Sequence, residues 1–224
     1  MNTIPVIAID GPSASGKGTV AQRVAAQLGW HYLDSGAIYR LAALAAIKFG
    51  IALDNEAALA RMALTLDIRF DGDRIWLAGQ SVEDEVRSEA IGNAASAIAT
   101  LPALRAALLA RQRDFRKEPG LVADGRDMAS VVFPNAHTKI FLTASATVRA
   151  ERRYKQLLEK GLLEQADNAI FDRILQDIRD RDARDSARTV APLQQATDAT
   201  MLDTTELSID EAVNRILAIH HRNP

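Results

Sequence analysis

Val6-Ile7-Ala8-Ile9-Asp10-Gly11-Pro12-Ser13-Ala14-Ser15-Gly16-Lys17-Gly18-Thr19 is the stretch that decides the fold. Its first four residues form a continuous apolar run, the pattern of a strand buried on both faces in a parallel sheet. A glycine-rich turn follows. Beyond it, Val20, Val24 and Leu28 share one stripe of a helix that Gly29 stops. Gly11 to Lys17 fits the phosphate-loop pattern G-x-x-x-x-G-K with one departure: Gly18 stands where a hydroxyl residue is expected, and Thr19 comes next. Glycines suit this place because the backbone must wrap around phosphate oxygens at dihedral angles that side chains forbid. Loop amides and the helix N-terminus supply partial positive charge, and Lys17 adds a full one near the β- and γ-phosphates of a nucleoside triphosphate. An ordinary glycine turn would account for the glycines, but not for their place between a buried strand and an amphipathic helix.

Further along, His31-Tyr32-Leu33-Asp34, Leu121-Val122-Ala123-Asp124, Lys139-Ile140-Phe141-Leu142 and Thr200-Met201-Leu202-Asp203 read as short strands. Gly36 to Phe49 reads as a helix closed by Gly50. The last strand precedes a helix opened by a capping box, Ser208 with Glu211. Strands alternating with helices predict an α/β fold with a parallel sheet flanked by helices. Two segments interrupt the alternation. Leu66, Ile68 and Phe70, the turn signal Asp71-Gly72, then Ile75 and Leu77 predict an antiparallel hairpin, within an insertion of about residues 63–100 that ends in a helix. The charge-rich stretch from Arg149 to Arg188, broken at Lys160-Gly161, predicts two helices that share little apolar surface with the core, which suits a lid.

Composition narrows the function. The 224 residues carry 27 Lys plus Arg against 29 Asp plus Glu, for a net charge of −2, which argues against a dedicated nucleic-acid binder. Zero cysteines exclude disulfides, thiol catalysis and thiolate metal sites. The N-terminus lacks a basic segment and meets Asp10 too early for a signal peptide, and no apolar run approaches a membrane span. The expectation is a cytoplasmic protein with neither membrane nor nucleic-acid polymer as partner.

Several polar residues sit where strands end. Asp10 reads as a strand-end cap. Asp124 ends a buried strand beside the phosphate loop, where an acid holds a magnesium ion or its water. In Asp34-Ser35-Gly36-Ala37-Ile38-Tyr39-Arg40, one of Asp34 and Ser35 serves as a helix cap. Arg40, one turn in, is expected to point back toward the strand ends. Arg126, in Gly125-Arg126-Asp127, lies at the carboxyl end of a strand, where ligands of parallel sheets bind. Arg179, Arg181, Arg184, Asp185 and Arg188 follow a helical pattern that places 181, 184, 185 and 188 on one face. Charge alone describes that face as solvated. Four arginines and no lysine from 179 to 188 would equally suit bidentate phosphate recognition. His31, His137, His220 and His221 lack metal-ligand spacing, and Trp30 and Trp76 read as core.

Taken together, Asp10 to Thr19, Leu33 to Arg40, Asn93-Ala94-Ala95-Ser96, Asp124-Gly125-Arg126-Asp127-Met128, Arg181-Asp182 and Val190-Ala191-Pro192-Leu193 resemble the bacterial cytidylate kinases of the nucleoside monophosphate kinase family. The Gly18-Thr19 departure is that family's rule. The resemblance implies a single domain over 1–224 in three parts: a core of about 1–35, 101–145 and 189–224, a monophosphate-binding part of about 36–100 that carries the β insertion, and a helical lid of about 146–188. It implies Lys17, Arg126, Arg181 and Arg188 as catalytic residues. ATP would be bound by Gly11, Pro12, Ser13, Ala14, Ser15, Gly16, Lys17, Gly18 and Thr19, with Arg149 and Arg153 from the lid. CMP would be bound by Ser35, Arg40, Ser96, Arg105, Arg126, Asp127, Arg181, Asp185 and Arg188. Thr19 and Asp124, directly or through water, would hold Mg2+. Two departures stand out: Ala129-Ser130 replaces the usual Gly-Thr, and the lid stretch Leu162 to Ile170 is longer than in relatives.

The implied reaction is magnesium-dependent transfer of the γ-phosphoryl of ATP to CMP and dCMP. Rival readings are another phosphate-loop small-molecule kinase, or a nucleotide switch; the latter needs a guanine-reading Asn-Lys-x-Asp, which the sequence lacks. Lys17 is the only cation in the loop. Lys17→Met is therefore expected to cost several kcal/mol of transition-state stabilisation, seen mainly in kcat by steady-state assay. Near-wild-type turnover would remove Lys17 from catalysis.

Overall fold

The computed structural model describes residues 4–71, 74–159, 161, 163 and 168–222. They form two compact units, Met1–Leu33 with Arg116–Pro224, and Asp34–Phe115.

The first unit is built on strand β1, Val6–Asp10, every residue of which is buried. It pairs in parallel with β6, Leu121–Gly125, on one side and with β7, Thr138–Thr143, on the other. With β2, His31–Asp34, and β8, Thr200–Asp203, the sheet has five strands in the order β2-β6-β1-β7-β8. Ile7, Ile9, Val122, Ile140 and Leu142 meet Val20, Val24, Val213 and Ile216 in one core. The last four come from α1, Lys17–Leu28, and α9, Ile209–Arg222. Burying each of these side chains is worth about 1.5–3 kcal/mol. Gly29 ends α1 at φ 66°, its N–H donating back to the helix. The capping box opens α9 as expected: the Ser208 N–H donates to Glu211 at 2.9 Å, and the Glu211 N–H to Ser208 Oγ at 3.2 Å. The charged stretch forms α7, Ala146–Glu159, and α8, Asn168–Ser186, which pack together through Tyr154 and Phe171. Gly161 lies between them at φ 66°, and Lys160 falls outside the described residues, as does most of the expected long lid stretch.

The second unit opens with α2, Ser35–Lys48, capped by Asp34, whose carboxylate accepts from the Ala37 N–H at 2.9 Å. The predicted hairpin is present as β3, Ile68–Asp71, and β4, Arg74–Leu77, in antiparallel register; its turn at Gly72 lies outside the described residues. A third short strand, β5, Gln80–Ser81, continues the small sheet. Helices α3, Glu56–Thr65, α4, Glu83–Arg87, α5, Glu89–Ile98, and α6, Pro102–Arg113, complete the unit. Two of these, α3 and α6, have no counterpart in the sequence reading. Their buried apolar stripes are thin, Leu59 with Ala63 and Leu104 with Leu108, and the two helices complete each other's core by packing together. Residues 101–115, assigned to the core from sequence, thus join the second unit. No single helix among the described residues is long and apolar enough to cross a membrane.

Where β1 runs into the loop, a Cβ on Gly11 would lie 2.0 Å from the carbonyl oxygen of Leu142 on β7. Gly29 has φ 66° but open space around it. Gly11→Ala is therefore expected to lose more than about 3 kcal/mol in urea unfolding, against about 1–2 kcal/mol for Gly29→Ala. Similar losses for both would show that the strand ends can part without cost.

Candidate active site

The loop between β1 and α1 turns through left-handed backbone twice, at Ala14, φ 55°, and Gly16, φ 87°. A glycine would adopt the first of these freely; Ala14 does so at about 1–2 kcal/mol. Alternation of this kind aims successive N–H groups into one hollow, which suits an anion. Lys17 begins α1 and is nearly buried, its Nζ donating to the carbonyl of Pro12 at 3.1 Å. The Oγ atoms of Ser13 and Ser15 are buried with no hydrogen-bond partner among the described residues. Such groups cost free energy unless something polar fills the hollow.

Beside the loop opens a cleft of about 600 Å³, lined by Gly16, Lys17, Thr19, Arg152, Arg153 and Leu207 among others. Arg152 reaches from α7 to Thr204, its Nη2 donating to the carbonyl at 2.6 Å, while its Nη1 donates to the carbonyl of Ser15 at 3.3 Å. The sequence reading missed Arg152; the signal was there in Arg149-x-x-Arg152-Arg153, which puts three arginines on one or two turns of helix. Arg149, expected at the nucleotide, is not part of the lining. It is buried, and its guanidinium meets the carbonyls of Ala144 and Ser13 and the carboxylate of Asp182.

At the end of β6, Asp124 is buried and accepts from the Tyr32 hydroxyl at 2.7 Å. One of its oxygens lies 4.0 Å from where a Cβ on Gly18 would stand, so it adjoins the first turn of α1. Thr19 is exposed on that turn. No group of three or more His, Asp or Glu side chains among the described residues could hold a metal alone. One carboxylate and one hydroxyl beside a phosphate hollow fit a magnesium ion that brings its own waters and phosphate ligands.

Asp10 is a cap, as expected, but of a neighbouring segment. Its two oxygens accept from the N–H groups of Met128 and Ala129, each at 2.8 Å, and so hold the single wide turn Met128–Val132 that follows Arg126-Asp127. Burial raises its pKa to about 6, against the lowering effect of those two hydrogen bonds; the charge of Asp127 adds to the rise. Asp127 is itself buried at the start of that turn.

Asp185 on α8 is 1% exposed and accepts from Arg126 Nε at 2.8 Å and from Arg188. Burial alone would push its carboxyl up, but the charges of Arg126, Arg188 and Arg181 outweigh that and hold it below the ordinary range. The arginine face departs from the sequence expectation in two ways. α8 ends at Ser186, so Arg188 lies past the helix and reaches back to Asp185 by three residues. Arg184 is exposed, whereas the Arg188 side chain is 6% exposed and is no solvated surface group. The reason is the carboxylate: a buried Asp185 draws in the cations that neutralise it.

The second unit gathers the remaining predicted residues. Ser35 Oγ donates to Gln112 Oε1 at 2.8 Å. Arg40, on α2, is half-buried within this unit. Its Nη1 donates to the carbonyls of Val86 at 2.9 Å and Ser88 at 3.1 Å, where α4 gives way to α5, and the guanidinium lies against Gly92. Ser96, one turn beyond Gly92 on α5, is buried. Arg105 is buried, donates to the carbonyl of Ala99 at 3.1 Å and stacks over Tyr39 at 5.8 Å.

The family model described as cytidylate kinase matches residues 7–222 of this chain. The chain belongs to the cytidylate kinase family. A cytidylate kinase of Chromobacterium violaceum is 60% identical over 215 residues, spanning 96% of this chain and 95% of its own length. That of Bordetella pertussis is 56% identical over 213 residues, 95% of this chain and 93% of its own. That of Burkholderia ambifaria is 57% identical over 213 residues, 95% and 91%. The cytidylate kinase match spans both units, α7 and α8 included.

Asp10 gives this cytidylate kinase a testable pH signature. Because its folded pKa, about 6, stands above the ordinary value of 3.8, the folded chain holds an extra proton between those values. Stability from this group therefore falls as pH rises through that window and levels above it, by about 3 kcal/mol in total. Asp10→Asn carries no charge and is expected to flatten this slope in urea midpoints taken from about pH 4 to 7.5. Parallel curves for wild type and variant would show that Asp10 is ionised throughout.

Proposed function

We propose that this chain transfers the γ-phosphoryl of ATP to CMP and dCMP, giving ADP with CDP or dCDP. The observation that carries the reading is one unit holding both a phosphate loop and a buried arginine–carboxylate cluster, joined through Asp10 at the root of the loop. Phosphoryl transfer requires little covalent help. In-line positioning and neutralisation of charge between the two sets of phosphates supply most of the acceleration. Lys17, Arg126, Arg181 and Arg188 provide those charges, and no general base is required. ATP is the ligand of residues 11–19, with Arg153 at the cleft. In the first unit CMP engages Arg126, Asp127, Arg181, Asp185 and Arg188; in the second, Ser35, Arg40, Ser96 and Arg105. Asp124, directly or through water, and Thr19 would hold Mg2+, which neutralises phosphate charge when bound. The core, monophosphate-binding part and helical lid are the working division of the chain, a monomer acting in the cytoplasm where ATP and CMP are present.

Base selectivity supports CMP over other monophosphates. Cytosine presents an amine donor beside a ring acceptor; uracil presents a carbonyl beside an N–H. A buried carboxylate suits the cytosine amine and repels the uracil carbonyl, and Asp127 is buried; Arg105, buried in the second unit, is the cation that the family resemblance assigns to the ring acceptors. Ser96 supplies a weaker third contact. A coupled ADP-release assay across CMP, dCMP, UMP, AMP and shikimate-like acceptors tests the assignment, with CMP and dCMP expected to dominate. Asp127→Ala is expected to lower activity on CMP and move the CMP-to-UMP ratio toward unity by about 5- to 150-fold. An unchanged ratio in a folded variant would remove Asp127 from the base pocket.

A further inference from the structure

We propose that Arg149 and Asp182 form a positioning pair that holds the phosphate loop in its anion-binding shape from behind, without contact to nucleotide. It rests on the reading above only in taking ATP as the ligand of the loop.

When successive N–H groups of a loop are turned into one hollow, the intervening carbonyls are turned outward and need donors of their own. Two of these carbonyls, Ser13 and Ser15, flank the left-handed Ala14, and each is met by an arginine of α7. Arg149 Nη1 donates to Ser13 at 3.0 Å and Arg152 Nη1 to Ser15 at 3.3 Å. The two arginines are three residues apart, so one helix face addresses both carbonyls. Ser145 Oγ fixes that helix by capping Val148 N–H at 3.2 Å.

Arg149 is only 5% exposed, and its donors are committed. Nε donates to the carbonyl of Ala144 at 2.9 Å, which folds the side chain back along its own helix. Nη1 and Nη2 grip the two oxygens of Asp182 at 3.1 and 2.5 Å. A guanidinium presents five N–H donors in a fixed fork, and this one spends them on four protein acceptors, leaving little for a phosphate. Asp182 lies three residues before Asp185 on α8, so a single helix anchors the loop through one carboxylate and the Arg126–Arg188 cluster through the other. A charge-assisted, bidentate pair is the interaction best suited to fix a guanidinium in one plane.

The test uses the full chain with Asp182→Asn and, separately, Arg149→Lys, which keeps the charge but cannot span Ser13 and Asp182 together. ATP alone and CMP alone are titrated calorimetrically, and melting temperature is recorded. In both variants ATP affinity is expected to fall about tenfold while CMP affinity shifts by less than about threefold. If Arg149 instead served ATP directly, Asp182→Asn would release it to do so, and ATP affinity would hold or tighten; that outcome overturns the proposal. Equal loss of both affinities in step with melting temperature would reduce the pair to general stability and overturn it as well. The readout is ATP binding without phosphoryl transfer. A wild-type chain that failed to phosphorylate CMP would contradict the proposed function and leave this test standing.

Discussion

The orientation of the peptide groups in residues 11–17 is the constraint on which the rest of the molecule depends. A hollow of inward N–H groups is unfavourable by itself, because like dipole ends are brought together and Ala14 is held in left-handed backbone. Three features hold it. Gly11 lies against the β7 backbone too closely for any side chain, so the loop leaves the sheet in one direction only. The start of α1 at Lys17 aligns a helix N-terminus with the hollow. Arginines of α7 then satisfy the carbonyls that have been turned out.

Charge is organised by the same economy. With a net charge of only −2, the chain carries no basic excess, yet its first unit buries or half-buries Lys17, Arg126, Arg149 and Arg188. Each arginine in that set leans on a carboxylate, Asp182 or Asp185, so that cations can be kept out of water before any phosphate arrives. Asp10 is a buried acid of another kind. It faces backbone N–H groups, and its pKa rises where that of Asp185 falls. The difference is one of neighbours, since both are almost fully buried.

Much of this was legible in the sequence. The buried strand, glycine turn and helix stripe of residues 6–29 fixed the centre of the sheet, and each of the other predicted strands occurs within a residue or two of its expected ends. The hairpin alternation at Ile68, Phe70, Ile75 and Leu77 was equally clear. Thin-striped α3 and α6 were not, because their cores are completed by each other and not by periodicity. Spacing placed Arg181 and Asp185 on one helix but could not show that α8 ends at Ser186, or that burial of Asp185 would pull Arg188 inward. Nor could it distinguish Arg149, spent on protein acceptors, from Arg153 at the cleft, since the difference lies in which face of α7 meets the loop. Nor does spacing show that Arg40 meets the carbonyls of Val86 and Ser88, 46 and 48 residues away in sequence.

The central claim is that this loop and its arginines pass the terminal phosphoryl group of ATP to a cytidine monophosphate and not to water. Incubation with ATP labelled in the γ-phosphate, with and without CMP, followed by separation of nucleotides and inorganic phosphate, measures it directly. The account predicts that label leaves ATP only when CMP is present and is recovered in the β-phosphate of CDP. Label released as inorganic phosphate at the same rate without CMP would contradict it.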